Sequence, residues 1–235
     1  MRTAVYIDGF NLQYGVARPL DCRWVNLLEA FQRQFSADEI VRINYYEAMI
    51  SGPQRPHQQA YVDALQSLPQ VEVVLGEMKK KRRQCRVRDC SFAASRFWDE
   101  HEEKHTDVSI AISIVDDVHR ARYEKIILVT ADTDLVPALR LVKSVRPSQQ
   151  VTLCIPALDK DRIYGSRPLA PFCDRVTRVD AEIYLQAQFA DSFVDANDQS
   201  HAKPPAWRRA PLTAARDYKK NHAGRCLMTM PGWAK

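Results

Sequence analysis

Lys125-Ile-Ile-Leu-Val-Thr130-Ala-Asp132-Thr-Asp134-Leu-Val-Pro137 is the stretch on which the reading of this chain turns. Ile126 to Val129 form an unbroken apolar run rich in β-branched residues, the pattern of a strand covered on both faces. The run stops at two aspartates spaced i, i+2, and a helical pattern (Leu135, Ala138, Leu139, Leu141, Val142) begins at once. A strand that ends in carboxylates and hands over to a helix places them at the C-terminal edge of a parallel sheet. In open α/β sheets that edge is where ligands bind. Read alone, Asp134 or Thr133 is equally well a plain helix cap and Asp132 a turn residue.

Two further places shift the balance. The chain opens with Thr3-Ala-Val-Tyr-Ile7-Asp8-Gly-Phe-Asn11, another β-type run that ends in Asp8 and is followed by a glycine turn. Thr106-Asp107 precedes Val108, Ile110, Ala111, Ile112, Ile114, Val115 and Val118, an apolar helix with Thr106 as its expected N-cap. Asp107 falls in register with Ala111, Ile114 and Val118, on the buried stripe at the helix mouth. Converging carboxylates in such positions are costly unless a cation neutralises them. A hard divalent ion, Mg²⁺ or Mn²⁺, is the economical partner for oxygen ligands from three elements.

Working outward, apolar runs and helical patterns alternate from the first strand through Val151–Ile155, giving β-α-β-α-β-α-β-α-β. That order implies a parallel sheet sandwiched between helices. Strands are expected at 3–8, 40–49, 71–75 (closed by Gly76), 125–130 and 151–155, with a short one at 175–179 and a helix at 181–189. Residues 77–105 read only as a connector. The domain is expected over 1–190, followed by a basic, flexible tail over 191–235, where Pro204-Pro205 and the loss of periodicity point to linker, while Trp207, Tyr218 and Trp233 are unusual for one and leave room for parts of it to dock.

The net charge of +5 is unevenly spread: from Ala196 onward eight Lys/Arg face two Asp. Lys79-Lys80-Lys81-Arg82-Arg83, with Arg86 and Arg88, adds a basic block without an acid. Two basic regions beside an acidic cleft suggest a polyanionic partner. The six cysteines (22, 85, 90, 154, 173, 226) are scattered without a framework, which favours thiols and a cytoplasmic setting. No apolar run is long enough for a membrane span.

Motif matching removes several classes. Neither phosphate-cradling glycine loop occurs, so dinucleotide and P-loop NTPase chemistry is not expected, and no nucleophile elbow exists. His101-Glu102-Glu103-Lys104-His105 fits the H-E-x-x-H zinc pattern, but the segment is highly polar and ends at an expected helix cap, which argues against a metalloprotease. Cys85, Cys90, His101 and His105 have roughly zinc-finger spacing and define a candidate structural Zn²⁺ site buttressing the basic loop.

The combination Asp8-x-x-Asn11, Glu103-Lys104-x-x-Asp107-Val108 and Thr130-x-Asp132-x-Asp134-Leu-Val-Pro137 resembles the NYN domain, a branch of the PIN-like nuclease superfamily. The resemblance covers residues 3 to 155. It implies a PIN-like α/β fold and metal-dependent hydrolysis of RNA, single-stranded RNA being the expected substrate. By residue match it implies Asp8, Asp107, Asp132 and Asp134 as Mg²⁺ or Mn²⁺ ligands and, with Asn11 as polar helper, as the catalytic set. Thr130 and Thr133 match its hydroxyl positions, and Lys104, with Lys79, Lys80, Lys81, Arg82 and Arg83, is expected to contact the substrate backbone. Ala131 and His105 stand where the family commonly has glycine, which bears on loop geometry rather than on the ligands. The rival from another class is a catalytically inactive RNA-binding or regulatory module using the same cleft. A Toprim-like site is a further rival, but it expects a glutamate where this chain has Asp8.

Overall fold

The structure is a computed structural model that describes residues 1–85, 97–158 and 166–208. Strands Arg2–Asp8 (β1), Glu39–Ala48 (β2), Val71–Gln84 (β3), Phe97–Lys104 (β4), Lys125–Val129 (β5), Gln150–Ile155 (β6) and Arg175–Arg178 (β7) form one seven-stranded sheet. Its order is β4-β3-β2-β1-β5-β6-β7, and every neighbouring pair is parallel except β3 and β4. Between the strands run helices Gly9–Leu12 (α1), Leu27–Gln34 (α2), Arg55–Gln66 (α3), Thr106–His119 (α4), Val136–Val145 (α5) and Ala181–Gln186 (α6).

The central position of β1 and β5 follows from their composition. Val5, Tyr6, Ile7 and Ile126 through Val129 are all fully buried, because a strand with two apolar faces is satisfied only between two layers. Alternation then sorts the residues. Val5 and Ile7 pack with Leu27, Phe31, Tyr61 and Leu65 of α2 and α3. Ala4 and Tyr6 pack with Ile110, Ile114, Leu139 and Val142 of α4 and α5 on the other face. Each large side chain buried this way contributes about 1.5–3 kcal/mol.

From β1 the chain builds outward to β2 and β3, then returns through α4 to β5 on the other side of β1. The strand order therefore reverses between β1 and β5, and a crevice lies at their carboxyl ends. α4 is fastened across this point. The Tyr6 hydroxyl donates to Asp117 Oδ2 at 2.6 Å, and Arg122 Nη1 donates to Asp117 Oδ1 at 2.7 Å.

Three expectations need correction. First, β3 does not close at Gly76 but continues to Gln84 and pairs with antiparallel β4 from Glu77↔Lys104 to Gln84↔Phe97. Gly76 is a close-approach glycine: a Cβ there would lie 2.7 Å from the Lys104 carbonyl oxygen and 2.8 Å from Thr106 Cγ2. The expected connector is thus a two-stranded arm. It also pairs four of the five residues Lys79 to Arg83 with acids. Lys80 pairs with Asp99 at 2.8 Å, Lys81 with Glu102 at 3.7 Å, Lys79 with Glu77 at 3.9 Å, and Arg83 with Glu100.

Second, this register does not assemble the zinc site. His101 lies opposite Lys80, five residues back along the arm from Cys85. At about 3.3 Å per residue that is roughly 16 Å, far beyond a shared metal. His105 lies further toward the sheet, and Cys90 lies outside the described residues, as do Arg86 and Arg88. Because His101 sits on a strand, the H-E-x-x-H helix face does not exist either. Cys22, Cys85, Cys154 and Cys173 are free thiols.

Third, the segment expected to open a tail packs onto the body. Ser192–Val194 (β8) and Ser200–Ala202 (β9) form a hairpin, and a 3-10 turn over Pro205–Trp207 follows. Trp207 is only 8% exposed, 6.5 Å from the Trp24 ring and 6.4 Å from Tyr61. Proline content and positive charge imitate a linker here, while the aromatic anchor decides the outcome. Residues 209–235 of that expected tail lie outside the described residues.

Candidate metal centre

Asp8 ends β1 and caps α1, its Oδ1 accepting the Asn11 backbone N–H at 2.9 Å. Its Oδ2 accepts the Asn11 side-chain amide and, at 3.0 Å, the Thr130 hydroxyl from the end of β5. Thr130 Oγ1 in turn accepts the Asp132 N–H at 3.0 Å, and Asn11 Oδ1 accepts the Ala131 N–H at 3.3 Å. Asp132 then caps the following 3-10 turn by accepting the Asp134 N–H at 2.9 Å. The plain capping role considered from sequence is therefore real, and it falls to Asp132. The loop after β5 is held in shape by β1 through this chain of bonds.

The loop so held presents its carboxylates to α4. One oxygen from each of Asp107, Asp132 and Asp134 lies within 4.8 Å of the others. Asp8 lies outside this trio, its two oxygens already accepting three donors, yet it is close enough to raise the Asp107 pKa. Burial first, then the charges of Asp8, Asp132 and Asp134, push Asp107 up to about 6. Burial likewise pushes Asp8 up to about 6, against the opposing pull of its donors. The donor set is all oxygen and all anionic, and no cationic side chain of the described residues forms an ion pair with any of the three. Such a set fits a hard divalent cation.

Two acidic residues of this edge were missed as site residues in the sequence. Glu103, at the base of the arm, is pushed up to about 8 by burial and by Asp8, Asp107 and Glu47. Glu47, near the end of β2 and one residue beyond the level of Asp8, is 4% exposed and pushed up to about 7, chiefly by burial. The rule applied to β1 and β5, that a carboxylate at a parallel strand's C-terminal end faces the crevice, finds Glu47 as well. Glu103 was visible in the quoted Glu103-Lys104-x-x-Asp107 pattern.

Other expected site residues are placed as follows. Lys104 pairs with Glu102 at 2.7 Å. Thr133 opens the 3-10 turn between Asp132 and α5. His105 has φ of 78°, a left-handed conformation that explains why glycine suits this position. It also displaces the expected cap: α4 begins at Thr106 itself, with His105 in the N-cap position and no side-chain bond there.

An α/β domain with helices on both faces and a carboxylate trio at its switch point is consistent with the PIN-like class. The NYN domain family profile matches residues 2–157, and the chain belongs to that family. It is 25% identical to 6-hydroxy-3-succinoylpyridine 3-monooxygenase HspA of Pseudomonas putida (strain DSM 28022 / S16), over 61% of this chain and 56% of that protein. The chain thus spans about half the length of this curated relative. Among solved structures, it is similar to a protein of unknown function from Vibrio parahaemolyticus RIMD 2210633. That match has 19% identity and a TM-score of 0.46, covering 76% of this chain and 92% of the other.

Proposed function

We propose that this protein is a divalent-metal-dependent ribonuclease that hydrolyses phosphodiester bonds of single-stranded RNA. The observation that carries the reading is the convergence of Asp107, Asp132 and Asp134 within 4.8 Å at the switch point. These three would hold Mg²⁺ or Mn²⁺, which when bound supplies a Lewis acid and an activated water. Asp8, Asn11 and Thr130 hold the loop so that the carboxylates are in place before substrate arrives. Lys104 and the arm residues Lys79 to Arg83 are assigned to the RNA backbone, with much of their charge internally compensated. A binding module without turnover gains nothing from a cluster of carboxylates that repels the phosphates it must hold.

The test is incubation of labelled single-stranded and structured RNA with Mn²⁺, Mg²⁺ or EDTA. Cleavage with either metal and none with EDTA is the expected result. If RNA is bound but never cut, the inactive regulatory module is the better account.

One observation favours a second reading. The monooxygenase relative points to hydroxylation of a hydroxypyridine, in which the carboxylate edge would serve a different reaction. That reaction needs two electrons from a reductant, so O₂ uptake by the purified chain that depends on both a hydroxypyridine and an added reduced nicotinamide, without RNA cleavage, would favour it.

A further inference from the structure

Ten large apolar side chains of the described residues are well exposed, and four of them lie on two neighbouring helices. Val108 and Ile112 of α4 are 61% and 63% exposed, and Leu141 and Val145 of α5 are nearly half exposed. The two helices pack side by side on one face of the sheet, with Ala111 and Val115 half-buried at the seam. Their outward sides therefore form one surface, which begins at Val108, the residue after Asp107.

This surface carries no charge at its centre. Residues 108–115 (Val-Ser-Ile-Ala-Ile-Ser-Ile-Val) are uncharged over more than two turns of α4. A helix that is apolar around its whole circumference belongs in a buried setting, yet the outer side of α4 meets solvent. On α5 the charged side chains are engaged elsewhere. Arg140 lies 5.8 Å from the Phe172 ring and Lys143 bonds Asp174 at 2.8 Å, which leaves Pro137, Leu141 and Val145 as an uncharged row. Polar groups stand at the margin, where Asp116 pairs with Arg120 at 2.7 Å near the end of α4. A charge-free apolar centre inside a polar rim is the anatomy of a protein interface, and homodimer interfaces are the more apolar kind.

We infer that the α4–α5 face is a dimer interface whose occupant is the same face of a second copy of this chain. Two features select that occupant. Val108–Ile112 and Pro137–Leu141–Val145 are i, i+4 ridges with a groove between them, so a two-fold axis can seat a ridge of each copy in the groove of the other. The area also fits. The exposed parts of the four side chains amount to about 400 Å² per copy, as large as the largest apolar patch of a typical monomer. Doubled by the two-fold and bordered by its rim, this supplies the core of an interface of about 1,200–2,000 Å². The second copy braces α4, the helix that carries Asp107. The inference goes beyond the ribonuclease reading and holds whether or not RNA is cleaved.

The test is sedimentation velocity of the full chain over a concentration series, in EDTA so that no metal bridges two copies. The wild type should dimerise with a dissociation constant of about 10 μM or below. Ile112→Glu and Leu141→Glu should each weaken association about 100-fold, because each places an unpaired carboxylate in the apolar centre. Ile112→Ser, a milder change, should weaken it about tenfold. Circular dichroism checks that each variant keeps its fold, as substitutions at solvent-exposed positions should. Val194→Glu, at an exposed valine of β8, should dimerise like the wild type. Three results overturn the inference. A chain that stays monomeric up to about 100 μM would leave the face to residues 209–235 or to another protein. Dimers as tight as wild type in folded Ile112→Glu, Leu141→Glu and Ile112→Ser would put the contact elsewhere. Equal weakening in Val194→Glu would mean that added charge, not this face, governs association.

Discussion

The carboxylate edge and the β3–β4 arm hold charge in opposite ways. At the edge, Asp107, Asp132 and Asp134 crowd together without a cationic side chain paired to them among the described residues, and burial plus repulsion lifts the Asp107 pKa. On the two strands of the arm, six Lys/Arg face five Asp/Glu, and most basic side chains find an acid within ion-pair distance. Exposed pairs of this kind contribute about 0–1 kcal/mol each. The arm is therefore close to electrostatic neutrality by its own means, whereas the edge reaches it only with a ligand. Function is expected where charge is left uncompensated inside the fold, not where charged residues are most numerous.

The largest effect that would sharpen this contrast is on turnover. Asp107→Asn or Asp132→Asn keeps the shape and removes a charge, so RNA cleavage should fall on the order of 10²–10³-fold. The same variants should melt no lower than wild type without metal, because repulsion is relieved. Equal cleavage rates in Asp132→Asn would assign the activity to another site.

Next in size is the anchoring of the segment that reads as linker. Trp207→Ala should destabilise the protein by about 3 kcal/mol, as removal of a buried aromatic ring does. A change below about 0.5 kcal/mol in a denaturant titration would mean that the segment is not part of the folded body. Metal should act on a similar scale. Mn²⁺ at a hundred times its dissociation constant should stabilise the wild type by about 2.7 kcal/mol. That gain should vanish in Asp107→Asn combined with Asp132→Asn.

The smallest effect concerns the arm. Lys80→Ala and Asp99→Ala should each change stability by less than about 1 kcal/mol, with a coupling energy of similar or smaller size. RNA affinity should respond more to Lys80→Ala than stability does, and its salt dependence should flatten by about 0.7 in log–log slope. An unchanged slope would remove Lys80 from the RNA contacts.

The parts of the fold that could be read from sequence are those where burial writes a pattern. β1, β5 and β6 are fully covered strands, so their apolar runs stand out, and Asp8 and Asp132 mark where they end. The arm left no such trace: beyond Gly76 both of its faces meet solvent, so no alternation arises. The acids that pair with Lys80, Lys81 and Arg83 lie some twenty residues away in sequence, which makes that stretch look unpaired. Trp207 stands out in the sequence as unusual for a linker, but Pro204-Pro205 and the basic neighbours outweigh that signal. In the site, side-chain chemistry was legible but the division of labour was not. Asp8 reads as a ligand in sequence, and its bonds to Asn11 and Thr130 show that it also organises the loop bearing Asp132 and Asp134.

The central claim is that Asp107, Asp132 and Asp134 form one divalent-metal site. Electron paramagnetic resonance of Mn²⁺ titrated into the metal-free full chain tests it directly. The account predicts loss of the free-ion signal at saturable stoichiometry in the wild type, and no such loss in the variant carrying Asp107→Asn, Asp132→Asn and Asp134→Asn. Mn²⁺ bound equally well by that variant, provided it keeps its wild-type fold, would contradict the account.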